Sequence, residues 1–238
     1  MIFAGIVAGG IGARFGGDIP KQFLILEKKP IIVHTIEKFL LCEKFDSICV
    51  GIHKNWKSYT EDIFKKFNLN DERLLVTSGG ENRNETIMNI INALESKFEK
   101  NDDNVLVTHD VVRPFVTLRI IEENIKTALK YGACDTVVRS HDTVVESNKE
   151  KTEILNVPNR EFVFLGQTPQ SFNMKKLSEF YNELTYEEKS NLTDACKIFV
   201  IKGESVKLIE GEFSNMKITT VGDYQIAQSL FARHSEKA

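Results

Sequence analysis

A glycine-rich segment near the start of the chain is typical of a phosphate-binding loop. Residues 8–17 read AGGIGARFGG and follow a short apolar run at residues 2–8. Glycines allow backbone N–H groups to approach an anion closely, and Arg14 and Lys21 add positive charge beside them. Cations and backbone donors that converge on one loop favour triphosphate binding. A glycine-rich turn without function is the alternative interpretation.

Two familiar nucleotide-binding motifs do not fit this loop. The dinucleotide fingerprint G-x-G-x-x-G, started at Gly10, requires glycine at position 15, where the chain has Phe15. A P-loop started at Gly12 reaches Gly17, but Asp18 follows in place of the required lysine. A dehydrogenase and a P-loop nucleotidase are therefore disfavoured.

A second candidate for chemistry is Asp110, which ends an apolar run at residues 105–109. In open α/β sheets, ligands bind at the carboxyl ends of the parallel strands, and Mg²⁺ prefers carboxylates together with substrate phosphates. Asp110 is thus a candidate magnesium ligand, with a helix N-cap as the alternative. Packing inside the strand is favoured over ligation for His109, and Arg113 either braces this loop or touches the substrate.

The elements that would position these residues alternate between apolar runs and segments of helical period. The runs predict strands at 2–8, 47–52, 74–76, 105–108, 136–138 and 206–209, and the periodic segments predict helices at 31–41, 85–98, 118–129, 174–184, 193–201 and 221–231. This alternation predicts an α/β fold with a doubly wound, mostly parallel, Rossmann-like sheet. We expect one domain over residues 1–238, with residues 141–166 as a β-hairpin arm that could pair with a second subunit.

Composition excludes several functional classes. The formal net charge of the 238 residues is −3, and lysine and arginine are dispersed, which argues against a nucleic-acid partner. The N-terminal run has no basic residues and meets glycine at position 9, so neither a signal peptide nor a membrane span is expected. The four cysteines form no C-x-x-C pair, which predicts buried thiols in the cytoplasm rather than a zinc site.

Six ordered blocks of the chain resemble one enzyme family. They are AGGIGAR with PKQ at 8–22, GGENR at 79–83, HDVVRP at 109–114, QTPQ at 167–170, LTDACK at 192–197 and NMKIT at 215–219. The set is similar to sugar and polyol phosphate nucleotidyltransferases, in particular the methylerythritol-phosphate and ribitol-5-phosphate cytidylyltransferases. The resemblance implies transfer of CMP from CTP to a polyol phosphate, with Mg²⁺ as cofactor and a homodimer formed through the arm.

The same resemblance implies a set of site residues. It gives Arg14, Lys21 and Lys217 to catalysis, Ala8, Gly9, Gly10, Gly12, Gly80, Glu81, Arg83, Thr86 and Asp110 to the nucleotide, Thr143, Arg160, Thr168 and Thr193 to the acceptor, and Asp110 also to the metal. An ordinary turn at 79–83 and a solvated charge at Arg160 remain alternatives. On local grounds Thr193 would also be a helix N-cap.

Two blocks bear on the acceptor. The methylerythritol branch typically carries aspartate immediately before the asparagine of the last block, whereas this chain has Ser214. That block and residues 192–197 resemble the ribitol-phosphate branch more closely, which favours ribitol 5-phosphate and a product of the kind used in teichoic acid synthesis. The methylerythritol-phosphate enzyme is the alternative, and a nucleotide-binding regulator without catalysis is the alternative of another class.

Overall fold

The protein alternates strands and helices along most of its length. The computed structural model describes residues 1–10 and 19–235. The strands are β1 Ile2–Ala8, β2 Ile25–Leu26, β3 Lys29–Pro30, β4 Ser47–Ile52, β5 Leu74–Ser78, β6 Val105–Asp110, β7 Ala133–Arg139, β8 Glu146–Ser147, β9 Ile154–Asn156, β10 Phe164–Asn173 and β11 Lys207–Glu210. The helices are α1 Ile31–Leu40, α2 Lys57–Lys66, α3 Arg83–Glu95, α4 Leu118–Tyr131, α5 Met174–Asn182, α6 Tyr186–Ser190, α7 Cys196–Ile201 and α8 Val221–Ser235.

A seven-stranded sheet runs through the middle of the molecule in the order β11-β7-β10-β6-β1-β4-β5. Neighbouring strands pair in parallel, except that β10 is antiparallel to both β6 and β7. The predicted α/β fold with a mostly parallel sheet is therefore confirmed. From β1 the chain continues to β4 and β5 on one side, then returns to β6 on the other side, so a crevice opens between the carboxyl ends of β1 and β6.

Apolar side chains cover both faces of the sheet. On one face, Ile6 and Val107 belong to a buried cluster with residues of α1, α2 and α4. On the other face, Phe3 and Leu106 belong to a second cluster with residues of α3, α5 and α7. Burial on both faces explains why β1, β4 and β6 appear in the sequence as continuous apolar runs. The four cysteines are buried thiols.

The sequence did not predict β10, the longest strand of the sheet. Its ten residues enter between β6 and β7, and the register is interrupted between Gly166 and Gln170. Strand β10 contains the segment 167–170, which the sequence indicated only as a block resembling other enzymes. The strand places this block beside the end of β6.

The predicted arm over 141–166 is only partly a hairpin. Strands β8 and β9 pair with each other as a small separate sheet, and a 3₁₀ turn follows at Arg160–Phe162. Residues 164–166 instead pair with β7 in the central sheet. The arm boundary at 166 was therefore wrong, because backbone pairing with β7 determines where the strand joins the sheet.

The predicted N-cap at Thr193 was also wrong. Helix α7 begins at Cys196, and the side chain of Asp194 accepts the N–H of Lys197. The residue directly before the helix is Ala195, which has no capping side chain, so the acceptor comes from Asp194 one position earlier. Among the residues that the structure describes, no helix is long and apolar enough to cross a membrane.

Candidate active site

A pocket lies in the crevice between β1 and β6. The described residues that line it are Val7, Ala8, Gly9, Gly10, Lys21, Gln22, Gly80, Glu81, Asn82, Arg83, Thr86, Asp110, Val111, Val112 and Lys217. They come from the end of β1, the 3₁₀ turn Lys21–Phe23, the segment before α3 and its first turn, the end of β6 with the two residues after it, and the segment between β11 and α8. The topology of the sheet therefore brings together four of the six sequence blocks.

A buried side-chain amide fixes the backbone at the end of β1. Gln22 is buried, and its Nε2 donates to the carbonyl oxygens of Ala8 at 2.9 Å and Gly10 at 3.2 Å. These carbonyls are thereby turned towards Gln22. A side chain at Gly9 would place its Cβ only 2.9 Å from Thr86 Oγ1. Glycine at position 9 is therefore required for the close approach of β1 to α3.

The segment before α3 forms the opposite wall. Asn82 caps α3 by accepting the N–H of Glu85 at 2.9 Å. Thr86 Oγ1 accepts the N–H of Gly80 and donates to the carbonyl of Asn82. The hydroxyl of Thr86 therefore fixes the turn whose backbone faces the pocket.

Asp110 is clamped between two cations at the floor of the pocket. Arg83 Nε donates to Asp110 Oδ1 at 2.9 Å, and Lys217 Nζ lies 2.7 Å from Asp110 Oδ2. Burial alone would raise the pKa of Asp110, but the charges of Arg83 and Lys217 outweigh burial and hold the pKa well below its usual range. Asp110 is therefore a carboxylate at neutral pH.

The donor set suits one magnesium ion held jointly with a phosphorylated substrate. Mg²⁺ usually takes one or two carboxylates and completes its shell with water and phosphate oxygens. Asp110 supplies one ionised carboxylate on the pocket surface. Within the part of the chain that the structure describes, no three acidic, histidine or cysteine side chains form a ready-made metal cage. The residues thus fit a metal ion that binds together with the phosphates of a substrate.

A chain of hydrogen bonds runs behind Asp110. Burial lowers the pKa of His109 to about 3, so its ring is neutral. Because His109 Nε2 faces the carbonyl of Arg113 at 3.1 Å, that nitrogen must carry the proton. Nδ1 then accepts the hydroxyl of Thr168 at 3.0 Å, and the same hydroxyl accepts the N–H of Asp110 at 3.1 Å. His109 is therefore a packed strand residue, as the sequence favoured.

The segment that carries Lys217 is tied to β6 and β10. Asn215 Nδ2 donates to Gln167 Oε1 and to the carbonyl of Thr168, and the carbonyl of Asn215 accepts from Arg113. The N–H of Ile218 donates to the carbonyl of Val112. Arg113 braces this loop, which was one of its two predicted roles. These bonds fix the backbone on either side of Lys217.

The structure brings some predicted site residues to the pocket and leaves others away from it. Lys21, Lys217 and the described nucleotide-binding candidates all line it, and Thr168 lies directly behind it. Gly12 and Arg14 lie outside the described residues. Thr143, Arg160 and Thr193 are exposed and are not among the described residues of the lining. Arg160 instead donates to the carbonyl of His141 at 2.9 Å.

Sequence reasoning assigned no role to Gln22 or Asn215. Each lies inside a block that the sequence analysis recognised, and that position was the only available signal. Both side chains are buried amides whose partners are mainly backbone carbonyls distant in sequence. Contacts of this kind follow no characteristic spacing along the sequence, so they are recognised only from the folded structure.

Comparison with known proteins gives one family for nearly the whole chain. The model of the family described as IspD, 2-C-methyl-D-erythritol 4-phosphate cytidylyltransferase, matches residues 2–233. The structure of 4-diphosphocytidyl-2C-methyl-D-erythritol synthase from Anaerococcus prevotii DSM 20548 is similar, with a TM-score of 0.79 and 26% identity over 97% of this chain and 96% of that one.

Two further solved structures have the same fold. The 2-C-methyl-D-erythritol 4-phosphate cytidylyltransferase (IspD) of Francisella tularensis gives a TM-score of 0.77 at 27% identity, over 96% of this chain and 98% of that one. The enzyme of that name from Thermus thermophilus gives a TM-score of 0.69 at 22% identity, over 96% and 98% respectively. The last similarity supports the fold alone.

Proposed function

The chain belongs to the 2-C-methyl-D-erythritol 4-phosphate cytidylyltransferase (IspD) family of CTP-dependent enzymes, and from that premise we propose that it transfers CMP from CTP to D-ribitol 5-phosphate. The products would be CDP-ribitol and pyrophosphate. The observation that supports this reaction most directly is the clamped carboxylate, in which Asp110 lies between Arg83 and Lys217 on the floor of the pocket. The proposed setting is the cytoplasm, which suits four free thiols.

The chemistry requires positioning and charge neutralisation rather than a protein nucleophile. An oxygen of the acceptor phosphate attacks the α-phosphorus of CTP, a new P–O bond forms, and the bond to pyrophosphate breaks. Lys21, Lys217 and Arg14 would offset the charge of the triphosphate, since phosphoryl-type transfer depends on preorganised cations. When bound, Mg²⁺ at Asp110 would neutralise phosphate charge and orient the phosphates.

The nucleotide would be held by backbone as well as side chains. We assign Ala8, Gly9 and Gly10 to the triphosphate, because they end β1 with a backbone open to the pocket. We assign Gly80, Glu81 and Thr86 to the cytosine side, on the opposite wall. The hydroxyl of Thr86 already has two backbone partners, so its role would be to shape this wall.

The choice of acceptor rests on residues near Lys217. Ser214 stands where the methylerythritol branch typically has a second carboxylate. Its hydroxyl lies 3.3 Å from Glu212 Oε2, and Glu212 is itself paired with Arg119. A second magnesium carboxylate is therefore absent from position 214, as in the ribitol branch. The similar structures described above are named as methylerythritol-phosphate enzymes, so that acceptor is the second candidate.

A homodimer through the arm is the third part of the proposal. Ile154, Leu155 and Phe162 of the arm are 64%, 70% and 76% exposed. Large apolar side chains exposed to this extent on one short segment favour a protein partner. Because Thr143 and Arg160 lie on the arm, away from the pocket of their own chain, they would hold the acceptor phosphate in a partner's pocket.

The test is release of pyrophosphate from CTP and Mg²⁺, with ribitol 5-phosphate and 2-C-methyl-D-erythritol 4-phosphate in parallel. We expect a higher kcat/KM for ribitol 5-phosphate. Ser214→Asp is the matched variant and should improve metal binding without exchanging the acceptors. A higher kcat/KM for methylerythritol phosphate in the wild-type protein contradicts the assigned acceptor and leaves the proposed transfer chemistry intact.

A further inference from the structure

The two cations that hold Asp110 differ in how firmly they are placed. Arg83 is the first residue of α3, and its side chain is 18% exposed. Lys217 lies on the segment between β11 and α8, and its side chain is 40% exposed. The ammonium can therefore reach solvent or an incoming ligand, whereas the guanidinium is enclosed by the fold.

Further acidic residues attract the guanidinium of Arg83. Its two terminal nitrogens are buried and form no hydrogen bond with any residue that the structure describes. Burial would lower the pKa of Arg83, but Asp110 and, less strongly, Asp194 raise it above its ordinary value. Arg83 also opposes the rise that burial causes in the pKa of Asp135. The guanidinium is thus fixed by its hydrogen bond to Asp110 and by burial, and the nearby acidic groups favour its charged form.

The pairing at Asp110 uses both of its oxygens. Oδ1 accepts from Arg83 and Oδ2 contacts Lys217 at 2.7 Å. A metal ion that approaches the pocket side of this carboxylate meets the ammonium of Lys217 first. Since a triphosphate brings several negative charges, it offers that ammonium an alternative partner.

We propose that Arg83 is a positioning residue, which keeps Asp110 fixed while Lys217 exchanges from Asp110 to the phosphates of the entering nucleotide. The exchange frees Oδ2 at the moment when the metal arrives with the nucleotide. Arg83 touches neither substrate nor metal in this scheme and acts through Asp110. The inference rests on the proposed role of Asp110 in holding the metal.

Substitutions at Arg83 test the positioning role. Arg83→Met should lower kcat by roughly 10- to 100-fold, the usual effect of losing a group that orients a metal ligand. The KM for CTP should change little, because in this scheme Arg83 acts through Asp110 and does not touch the nucleotide. Arg83→Lys should restore part of kcat, since it keeps the charge and loses the planar Nε donor.

A matched arginine separates this role from simple stabilisation. Arg73 directly precedes β5, at the end of the strand opposite the pocket, and its side chain is 22% exposed. It pairs with Asp71 at 2.8 Å and donates to the backbone carbonyls of Leu40 and Cys42 at the end of α1. Arg73→Met should therefore lower the free energy of unfolding and leave kcat unchanged for the folded protein. If Arg83→Met shows that same pattern, or Arg83→Lys remains as slow as Arg83→Met, the positioning role is overturned.

Metal binding without nucleotide tests the exchange and needs no turnover. Mn²⁺ is titrated into the protein and followed by electron paramagnetic resonance. Lys217→Met should bind Mn²⁺ more tightly than the wild type, because Oδ2 is open. Equal or weaker binding by this variant overturns the exchange.

The two proposals fail in different ways. The kinetic comparison uses whichever acceptor the wild-type protein accepts, so an error in the acceptor does not affect it. If the wild type transferred CMP to neither acceptor, the proposed function would fail. The Mn²⁺ titration would still decide whether Lys217 occupies the metal side of Asp110.

Discussion

Replacing Thr168 by valine tests the hydrogen-bonded chain behind Asp110. Valine has nearly the shape of threonine and lacks the hydroxyl. In the folded protein this hydroxyl donates to His109 Nδ1 and accepts from the N–H of Asp110, and the residue is 4% exposed. The substitution therefore removes one group and leaves two buried polar partners without a hydrogen bond.

The magnitude follows from those two partners. A buried donor or acceptor left unsatisfied costs about 1–3 kcal/mol, so with two such partners Thr168→Val should lower the free energy of unfolding by roughly 2–6 kcal/mol. Thr168→Ser keeps the hydroxyl and removes one methyl group. Its expected cost is about 1 kcal/mol, from lost apolar contact.

Urea denaturation followed by circular dichroism measures both variants against the wild type. The reasoning requires valine to be clearly worse than serine. If Thr168→Val lay within about 0.5 kcal/mol of the wild type, the ordinary range for a surface substitution, the chain of bonds would not matter for stability. A selective rise in the acceptor KM at unchanged stability would instead indicate that Thr168 acts only on the acceptor.

Four further outcomes are expected. The pKa of His109 is about 3 in the fold against an ordinary 6.5. Its contribution to the free energy of unfolding is therefore complete above pH 6.5 and falls by about 1.4 kcal/mol per pH unit as the pH falls towards 3. Urea denaturation at pH values from 7.5 to 4.5 measures this slope, and His109→Gln should reduce it. Lys217→Ala should lower kcat by roughly 10²–10³-fold, and near-full turnover at saturating substrate would contradict its role. Arg160→Ala should raise the KM for the acceptor and not that for CTP in steady-state assays, and the reverse pattern would contradict the site assignment. Gly80→Ala should destabilise the protein in thermal melts, because its Cβ would lie 2.3 Å from Glu85 Cβ, and an unchanged melting temperature would show that this turn can move.

Much of the fold was predictable because local patterns decide it. Strands β1 and β4 were predicted with their observed bounds, since strands buried on both faces are short continuous apolar runs. Helix α4 was predicted from its first residue because its apolar positions recur at helical spacing. The short strands β8 and β9 were less predictable, since two or three exposed residues show no clear alternation.

The candidate site was predictable where a residue type has a strong chemical reason to be at a strand end. The glycines after β1 were identified because their backbone N–H groups can approach an anion closely. The carboxylate that ends β6 was identified because parallel sheets bind ligands at the carboxyl ends of their strands. The partners of Asp110 were not identified in this way. Arg83 and Lys217 lie 27 and 107 residues from Asp110 along the sequence (110 − 83 and 217 − 110), and no local pattern encodes such a contact.

The sequence by itself determined the residue types, the alternating elements and the family to which the chain belongs. Only the tertiary structure decided that β10 enters the sheet antiparallel between β6 and β7, and thereby brings Thr168 within hydrogen-bond distance of the backbone of Asp110. It also decided that Asp110 is shared by a buried guanidinium and a half-exposed ammonium. The physical reason is that strand insertion and charge pairing depend on which distant segments can pack together, and packing is a property of the whole chain.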